Sequence, residues 1–270
     1  MVYICSFAMR VNNSLSAIFG IFCLLAFTFP DSGEGSKVKP TENVASSAND
    51  NVCDNQVYEY FYTSSMKFKS YCDTVYNQMF DVSNRPAKRV FELALKGYAH
   101  YASQGMLARK GILTFIDYSL SSNVKRLWVV DLVTTKVLFH ELVAHGRNSG
   151  EEYARKFSNV TNSFQTSLGF FVTGEIYEGK HETSIRMIGL ERKFNSNALD
   201  RGIVIHGADY VSQEFIQQHK RLGRSLGCPA VSMDIINNLS SVIANGTCLF
   251  AYYPNKTYLK LSAANRFDAL

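Results

Sequence analysis

Short runs rich in β-branched and aromatic residues, separated by turn residues, limit the fold of this chain more than any other feature. They begin after Gly111, and neither an internal repeat nor a regular alternation with helical patterns accompanies them. Such runs are typical of β-strands, and their succession without βαβ alternation predicts a mainly β domain of the α+β class. The predicted strands cover residues 112–117, 126–132, 136–144, 168–173, 202–206 and 246–253.

Helical spacing of apolar residues marks the region before these strands and two segments among them. The predicted helices cover residues 55–80, 86–108, 215–222 and 233–244. Pro86 fits the first turn of the second helix, because a helix leaves its first N–H groups unpaired. The pattern divides the chain into a helical N-terminal region, residues 52–108, and a main domain, residues 109–263.

Residues 1–30 have the layout of a secretory leader. An apolar stretch, residues 15–29, follows Arg10 and precedes a polar segment, and it is too short to span a bilayer comfortably. No clean small-x-small cleavage site follows, so a cleaved leader, a retained membrane tether and a lipid anchor all stay open. We expect export to the periplasm or cell envelope, with residues 31–51, rich in Ser, Asn, Gly and Lys, as a flexible tether.

Composition narrows the class of partner. At 46% hydrophobic and 19% charged residues, the 270-residue chain can bury a substantial core. Its formal charge of +5 suits an anionic partner such as a cell-wall polymer or a membrane surface. No run of Lys and Arg is dense enough for a nucleic-acid stripe, so nucleic acid is not an expected partner.

The chain has six cysteines, and four of them follow the leader. In an oxidising compartment, Cys53 and Cys72 are close enough in sequence for one bridge to staple the start of the folded part. The alternative pairing, Cys228 with Cys248, would abolish any nucleophile at Cys228.

His206 and Cys228 have the surroundings of reactive groups. His206 ends a strongly hydrophobic predicted strand and is followed by Gly207, a place where rigid folds commonly hold catalytic groups. Cys228 lies in a glycine-rich turn just before a predicted helix, whose N-terminus would favour a thiolate and offer amides to an oxyanion. An imidazole beside this thiol would complete an activated nucleophile. The spacing by itself does not show that the two side chains meet.

Four segments, occurring in one order, carry a resemblance to a known family. They are Val143-Ala-His-Gly-Arg-Asn-Ser-Gly150, Ser167-Leu-Gly-Phe-Phe-Val-Thr-Gly174, Val204-Ile-His-Gly-Ala-Asp-Tyr210 and Leu222-Gly-Arg-Ser-Leu-Gly-Cys-Pro229. With them, the chain resembles the catalytic domain of murein L,D-transpeptidases, the YkuD-like family, and in particular its branch with a Gly-Cys-Pro motif. The resemblance implies a YkuD-like β-sandwich or barrel behind the small helical region.

The resemblance also implies an exported cysteine enzyme that acts on peptidoglycan. Cys228 would attack the carbonyl between the meso-diamino residue and the terminal D-alanine of a tetrapeptide stem, with His206 as general base. The backbone amides of Gly227 and Cys228 would hold the oxyanion. Neither a cofactor nor a metal is implied, and carbapenem-type β-lactams would inhibit, because their strained carbonyl takes the place of the stem carbonyl.

The chain departs from the common family motif on both sides of the cysteine. Leu226 stands where a His is common, and Pro229-Ala230 replaces the Arg that commonly follows. If the strand-end imidazole is the base, the first loss alters positioning or backbone-donor geometry rather than the base itself. Arg224 offers a guanidinium for a stem carboxylate instead, and Ser225 and Gly207 are further candidates for substrate binding.

Other polar residues have plainer interpretations. His145 precedes a glycine at a strand end, which favours a turn or supporting role over catalysis. Asp209 follows His206 closely and could orient it, although an exposed turn carboxylate is the simpler interpretation. Tyr177 and Arg186 flank a predicted loop that is either a plain surface loop or a cover for the substrate groove.

Three alternative functions stay open on sequence alone. Water as acceptor would make the chain an L,D-carboxypeptidase, and a protein amine would make it a wall-attachment enzyme. A third possibility is a non-catalytic wall-binding module in which Cys228 is bonded to Cys248.

Overall fold

The computed structural model describes residues 65–180 and 182–262. The predicted leader and tether, and the first part of the helix predicted over residues 55–80, lie outside the described residues. Among the residues described, no helix has the length and apolar character needed to cross a membrane.

Two helices precede the strands, α1 (Ser65–Met79) and α2 (Lys88–Ser103). The prediction that α2 begins at Pro86 is wrong by two residues, because Ala87 has an extended backbone, with ψ near 125°, and is the N-cap. The predicted end at residue 108 is also too late. Gly105 has a φ of +69°, a left-handed conformation that ends a helix.

Within the described residues, eight strands form one mixed sheet in the order β3-β2-β1-β8-β4-β5-β6-β7. The strands are β1 (Ile112–Asp117), β2 (Leu127–Asp131), β3 (Lys136–Glu141), β4 (Gly169–Gly179), β5 (Glu182–Gly189), β6 (Val204–Gly207), β7 (Ala230–Val231) and β8 (Cys248–Tyr252). The pairs β1–β8 and β6–β7 are parallel, and the others are antiparallel. The predicted mainly β, α+β class is confirmed, and β2 and β3 form a hairpin.

The strand predicted to end at Thr173 continues much further. β4 runs on to Gly179 and turns directly into β5, which no sequence pattern predicted. The β4–β5 register shifts between Thr173 and Ile176, so the strand passes Gly174 through a bulge instead of ending there. Tyr177 and Arg186, assigned to the flanks of a loop, therefore lie in the two strands of a hairpin, with the Arg186 guanidinium 4.6 Å from the Tyr177 ring.

The sheet buries a different apolar cluster on each face. One face packs against α1 and α2, and its centre is a set of rings in which Phe115 stacks on Trp128 and Phe170 on Phe250. The other face packs against α4 (Met233–Ile243), whose apolar residues join Ile205 and Val231 in a second cluster. The predicted helical region and the predicted main domain thus share a core.

The second cluster holds β6 and β7 in place at the end of the sheet. β6 leads into α3 (Gln213–His219), β7 follows the turn that contains Cys228, and α5 (Lys256–Leu261) follows β8. Ser212 and Ser232 cap α3 and α4 with their hydroxyls. These short connections bring the ends of β6 and β7 together.

Candidate active site

His206 is held at the end of β6 in one orientation. Its side chain is only 2% exposed, and its Nδ1 lies 2.8 Å from the carbonyl oxygen of Gly207. A neutral imidazole that donates from Nδ1 to a carbonyl has Nε2 as its unprotonated nitrogen, the one that can accept a proton. Gly207 acts in this structure through its carbonyl, and a Cβ there would lie 2.6 Å from the Met233 sulfur.

Cys228 is delivered by the strand next to β6. His206 pairs with Ala230 in the parallel β6–β7 register, and its amide donates to the Pro229 carbonyl at 3.4 Å. Cys228 lies in the turn two residues before Ala230, and neighbouring strands lie about 4.8 Å apart. The register therefore brings the turn that carries the half-buried thiol next to the end of β6, where His206 lies.

The predicted start of the helix at residue 233 is confirmed, but the expectation that Cys228 lies at its N-terminus is wrong. β7 follows the cysteine, and α4 begins only at Met233 after the Ser232 cap. Burial raises the pKa of the Cys228 thiol, and hydrogen bonding from the Val204 amide, the charge of Arg201 and the cysteine's own amide oppose that rise. The sulfur lies 3.8 Å from the Gly202 carbonyl. The thiol thus depends on its protein neighbours, and not on a helix dipole, to reach the thiolate form.

The turn that carries Cys228, residues 223–228, is here called the cysteine loop. Ser225 uses its hydroxyl within this loop, because it donates to the Cys228 carbonyl at 2.6 Å and accepts from the Gly227 amide at 3.0 Å. The Gly227 amide, a predicted oxyanion donor, therefore already donates to Ser225 in this structure. The Ser225 hydroxyl, predicted to bind substrate, makes both of these hydrogen bonds inside the loop. Leu226, at the position where a His is common, is 59% exposed at the rim of the site.

Gly227 has a conformation and a fit that a larger residue would disturb. Its φ of +131° lies in the region that favours glycine, and a Cβ there would lie 3.0 Å from the Gln165 carbonyl oxygen and 3.3 Å from a methyl of Ile203. The loop can therefore bring the cysteine close to its neighbours only with glycine at this position.

A first supporting loop, residues 142–150, braces the cysteine loop from one side. The Ser225 amide donates to the His145 carbonyl at 3.0 Å, and the Arg147 amide donates to the Ser225 carbonyl at 2.8 Å. His145 is buried, and its Nδ1 accepts from the guanidinium of Arg126 at 2.8 Å. Burial, and secondarily the Arg126 charge, lower the pKa of His145 to about 3, so this imidazole is neutral near pH 7. His145 therefore has the supporting contacts that its position predicted.

Arg224 is occupied by the protein itself. Its Nη1 lies 2.5 Å from a Glu151 carboxylate oxygen and also donates to the carbonyls of Arg147 and Gly150. Glu151 bridges it to Arg221 at 3.0 Å. Binding of a stem carboxylate by Arg224, which stays a prediction, would require the exchange of this ion pair.

Arg147 presents a guanidinium next to the cysteine loop. Its side chain is exposed, and the guanidinium carbon lies 4.3 Å from the centre of the Phe164 ring. Phe164 has a φ of +55°, which is strained for a bulky residue. The contact holds Arg147 over an aromatic face with its hydrogen-bond donors available.

Residues 158–167 form a second supporting loop, which wraps around Arg201. The Arg201 guanidinium donates to the carbonyls of Ser158 and Gln165, each at 2.7 Å, and to the hydroxyls of Ser163 and Ser167. Sequence reasoning missed Arg201, because its partners lie more than thirty residues away and no motif marks it. The only local signal is its position just before the His206 strand.

A family model described as the L,D-transpeptidase catalytic domain matches residues 83–252, more than half of the chain. The chain belongs to the family of L,D-transpeptidase catalytic domains. The family resemblance drawn from the motifs is thereby confirmed, while assignment to a Gly-Cys-Pro branch stays a prediction. The match begins before α2, so this helix is part of the L,D-transpeptidase domain as the family defines it.

Solved structures of several L,D-transpeptidases are similar to this chain at low identity. An L,D-transpeptidase from Mycobacterium smegmatis is 12% identical with a TM-score of 0.34, over 53% of this chain and 59% of that one. One from Stackebrandtia nassauensis is 14% identical with a TM-score of 0.33, over 77% and 91%. LdtMt1 in complex with imipenem is 14% identical with a TM-score of 0.33, over 53% and 60%.

The chain thus spans about three fifths of the first of these structures. No curated protein matches it.

The L,D-transpeptidase domain keeps its described thiols apart. Cys72, Cys228 and Cys248 are free, and Cys53, the predicted partner of Cys72, lies outside the described residues. Cys248 is buried in the cluster under α1 and α2, whereas Cys228 packs against the cluster on the opposite face. The alternative of a Cys228–Cys248 disulfide is therefore wrong, because the sheet separates the two sulfurs.

Asp209 is exposed in the turn after β6. In the L,D-transpeptidase domain, a hydrogen bond to the Gly207 carbonyl orients Nδ1 of His206, which is the role considered for the Asp209 carboxylate. The simpler of the two interpretations of Asp209 agrees with this exposure.

Proposed function

We propose that the chain is an exported L,D-transpeptidase that acts on peptidoglycan tetrapeptide stems through an acyl-enzyme at Cys228. The observation that carries the proposal is the β6–β7 register, which brings an oriented His206 and the Cys228 turn together in a domain of this family. Export rests on the predicted leader.

In the proposed reaction, Nε2 of His206 accepts the thiol proton while the sulfur attacks the carbonyl of the scissile bond. Sulfur–carbon bond formation gives a tetrahedral oxyanion, and His206 returns the proton to the leaving D-alanine amine as the carbon–nitrogen bond breaks. An acceptor amine then attacks the thioester and regenerates the thiol. Bond energy is conserved in the thioester, so no cofactor is needed.

The oxyanion would be stabilised by backbone amides beside the sulfur. The backbone groups of Cys228 and Val204 lower the pKa of the thiol, so both favour negative charge at this point of the site. The Gly227 amide could join them only if the Ser225 hydroxyl releases it. We therefore propose the Cys228 amide as the principal donor, with Gly227 recruited when substrate arrives.

A free carboxylate of the stem would be bound by Arg147. Its guanidinium is exposed and rests on Phe164. Arg147 also follows Gly146 directly, and a Cβ built on Gly146 would lie 2.8 Å from the Cα of Gly227, so Arg147 lies beside the cysteine loop. Arginine binds carboxylates bidentately and always carries its charge. Arg224, which was predicted for this role, would first have to leave Glu151.

Product analysis by mass spectrometry tests the proposal. The full chain is incubated with tetrapeptide-stem muropeptides beside Cys228→Ala, His206→Gln and the control Cys248→Ala, which removes a thiol buried on the opposite face. We expect cross-linked dimers with the wild type and the control, and none with the two site variants. Tripeptide without dimers would favour a carboxypeptidase, and products that persist in Cys228→Ala would overturn the proposal.

A further inference from the structure

Arg201 carries a charge that no carboxylate neutralises among the residues described. Its guanidinium is half-buried, and all four of its hydrogen-bond acceptors, Ser158, Ser163, Gln165 and Ser167, are carbonyl or hydroxyl oxygens. A buried cation without a counter-ion is costly, because burial removes water and nothing of opposite charge replaces it. Burial accordingly lowers the pKa of Arg201.

The guanidinium of Arg201 lies close to the loop that carries Cys228. A Cβ built on Gly227 would lie 3.4 Å from Nη2 of Arg201, so the guanidinium lies directly against the turn that presents the cysteine. The sulfur of Cys228 in turn lies 3.8 Å from the carbonyl of Gly202, the next residue after Arg201. Two independent contacts therefore place the cation and the sulfur in one small region.

We propose that Arg201 is a positioning residue that stabilises the thiolate of Cys228 by its charge and fixes the second supporting loop against the Gly227 turn. The inference rests on the proposed role of Cys228 as the nucleophile. The chemistry explains the unpaired cation: the missing counter-ion forms when the thiol loses its proton, and the pair then separates again as the sulfur becomes an uncharged thioester.

Among the other titratable groups described near Cys228, only the imidazole of His206 could join Arg201 in stabilising the thiolate. His206 lies on β6, Tyr118 follows β1, and Tyr210 follows β6. Burial raises the pKa of both tyrosines, that of Tyr210 to about 12, so both hydroxyls are neutral where the thiol titrates. The charge of Arg201 also lowers the pKa of Cys228 against the effect of burial.

Alkylation of Cys228 by iodoacetamide tests the inference without a substrate. The full chain is labelled briefly over a range of pH, and the adduct at Cys228 is quantified by peptide mapping. Arg201→Gln, which keeps polar contacts and loses the charge, should raise the midpoint of the alkylation profile by about one pH unit and slow labelling at neutral pH roughly tenfold. Arg201→Lys, which keeps the charge, should stay close to the wild-type midpoint.

Two further variants separate the effect of the Arg201 charge from the effect of its hydrogen bonds to the second supporting loop. Ser163→Ala removes one hydrogen bond to Arg201 and keeps its charge, so it should lower Tm and leave the midpoint unchanged. Arg109→Gln is the matched control, because Arg109 also donates to a neutral carbonyl, that of Ala244 at 2.6 Å, but at the C-terminal end of α4. Its profile should match that of the wild type.

An unchanged midpoint in folded Arg201→Gln would overturn the inference, as would equal shifts in Arg201→Lys and Arg201→Gln. If Arg201→Gln does not fold, a shifted midpoint in Arg201→Lys or Ser163→Ala would overturn the inference instead. Alkylation does not depend on muropeptides. A shifted alkylation profile in Arg201→Gln without cross-linked products from the wild type would thus reject the proposed function and keep this inference. Cross-linked products with an unshifted profile would keep the proposed function and reject this inference.

Discussion

The guanidinium of Arg126 donates from Nη2 to Nδ1 of His145 at 2.8 Å, and both side chains are fully buried beneath the cysteine loop. Nε2 of His145 points to the Gly150 carbonyl at 3.4 Å, so the neutral imidazole accepts on one side and donates on the other. The same residue accepts the Ser225 amide through its carbonyl. A buried pair thus supports the loop that presents the nucleophile.

The neutral state of His145 predicts a loss of stability in acid. Its pKa is about 3 in the folded protein, against an ordinary value of 6.5, so the unfolded chain binds a proton that the folded chain rejects. This contribution is fully present above pH 6.5 and is lost as the pH falls towards about 3, with a slope of up to ~1.4 kcal/mol per pH unit. Denaturant unfolding at several pH values measures it. His145→Gln should flatten the slope, and an unchanged slope in that variant would assign it to other groups.

Ser225→Ala should loosen the cysteine loop. The hydroxyl makes two bonds inside the loop, to the Cys228 carbonyl and from the Gly227 amide, and loss of a buried hydrogen bond costs about 1 kcal/mol. We expect a lower Tm and a kcat for cross-linking reduced roughly tenfold. Steady-state kinetics and thermal unfolding check both effects. A higher kcat would show instead that Ser225 restrains a Gly227 amide that the oxyanion needs.

Gly227→Ala should abolish activity and Gly105→Ala should not. Both glycines have positive φ, so both substitutions add backbone strain of roughly 1–3 kcal/mol. The added methyl at Gly227 also meets the Gln165 carbonyl, whereas nothing lies within 4 Å of the one at Gly105. Cross-linking assays on the two folded variants separate strain from crowding, and equal activities would contradict the close fit of the loop.

Arg147→Gln should raise KM for the tetrapeptide stem roughly tenfold or more with little change in Tm, because its guanidinium is exposed and rests on the Phe164 ring. Arg224→Gln should mainly lower stability, since it leaves Glu151 with one ion pair fewer. Steady-state kinetics and thermal unfolding of both variants distinguish the two roles. A KM that rises only in Arg224→Gln would return the carboxylate site to Arg224.

Imipenem should acylate Cys228. The strained carbonyl of a carbapenem would take the place of the stem carbonyl that the proposed nucleophile attacks. Intact mass spectrometry of the full chain should show one adduct with the wild type and with Cys248→Ala. Cys228→Ala should show none, and a persistent adduct in this variant would place the nucleophile elsewhere.

Much of the strand and motif pattern was local and could be predicted. The bounds of β1 and the position of His206 at the end of β6 followed from short apolar runs ended by turn residues. β5 could not be predicted, because the bulge at Gly174 looked like a strand end and only pairing with β4 makes residues 182–189 extended. The helix after Cys228 begins at Met233, as predicted, but residues 230–231 pair with β6 first, so the cysteine does not lie at the N-terminus of this helix.

The sequence by itself determined the mainly β class, the order of the motifs, the family, and the two residues proposed for catalysis. These depend on residue types at short spacing, and such patterns act through neighbours along the chain. Only the tertiary structure decided that Arg224 is paired with Glu151, that Ser225 holds the Gly227 amide, and that Arg201 lies against the cysteine loop. Each of these groups has several possible partners far away in sequence. The packing of the loops around the end of the sheet determines which partner comes within hydrogen-bonding distance.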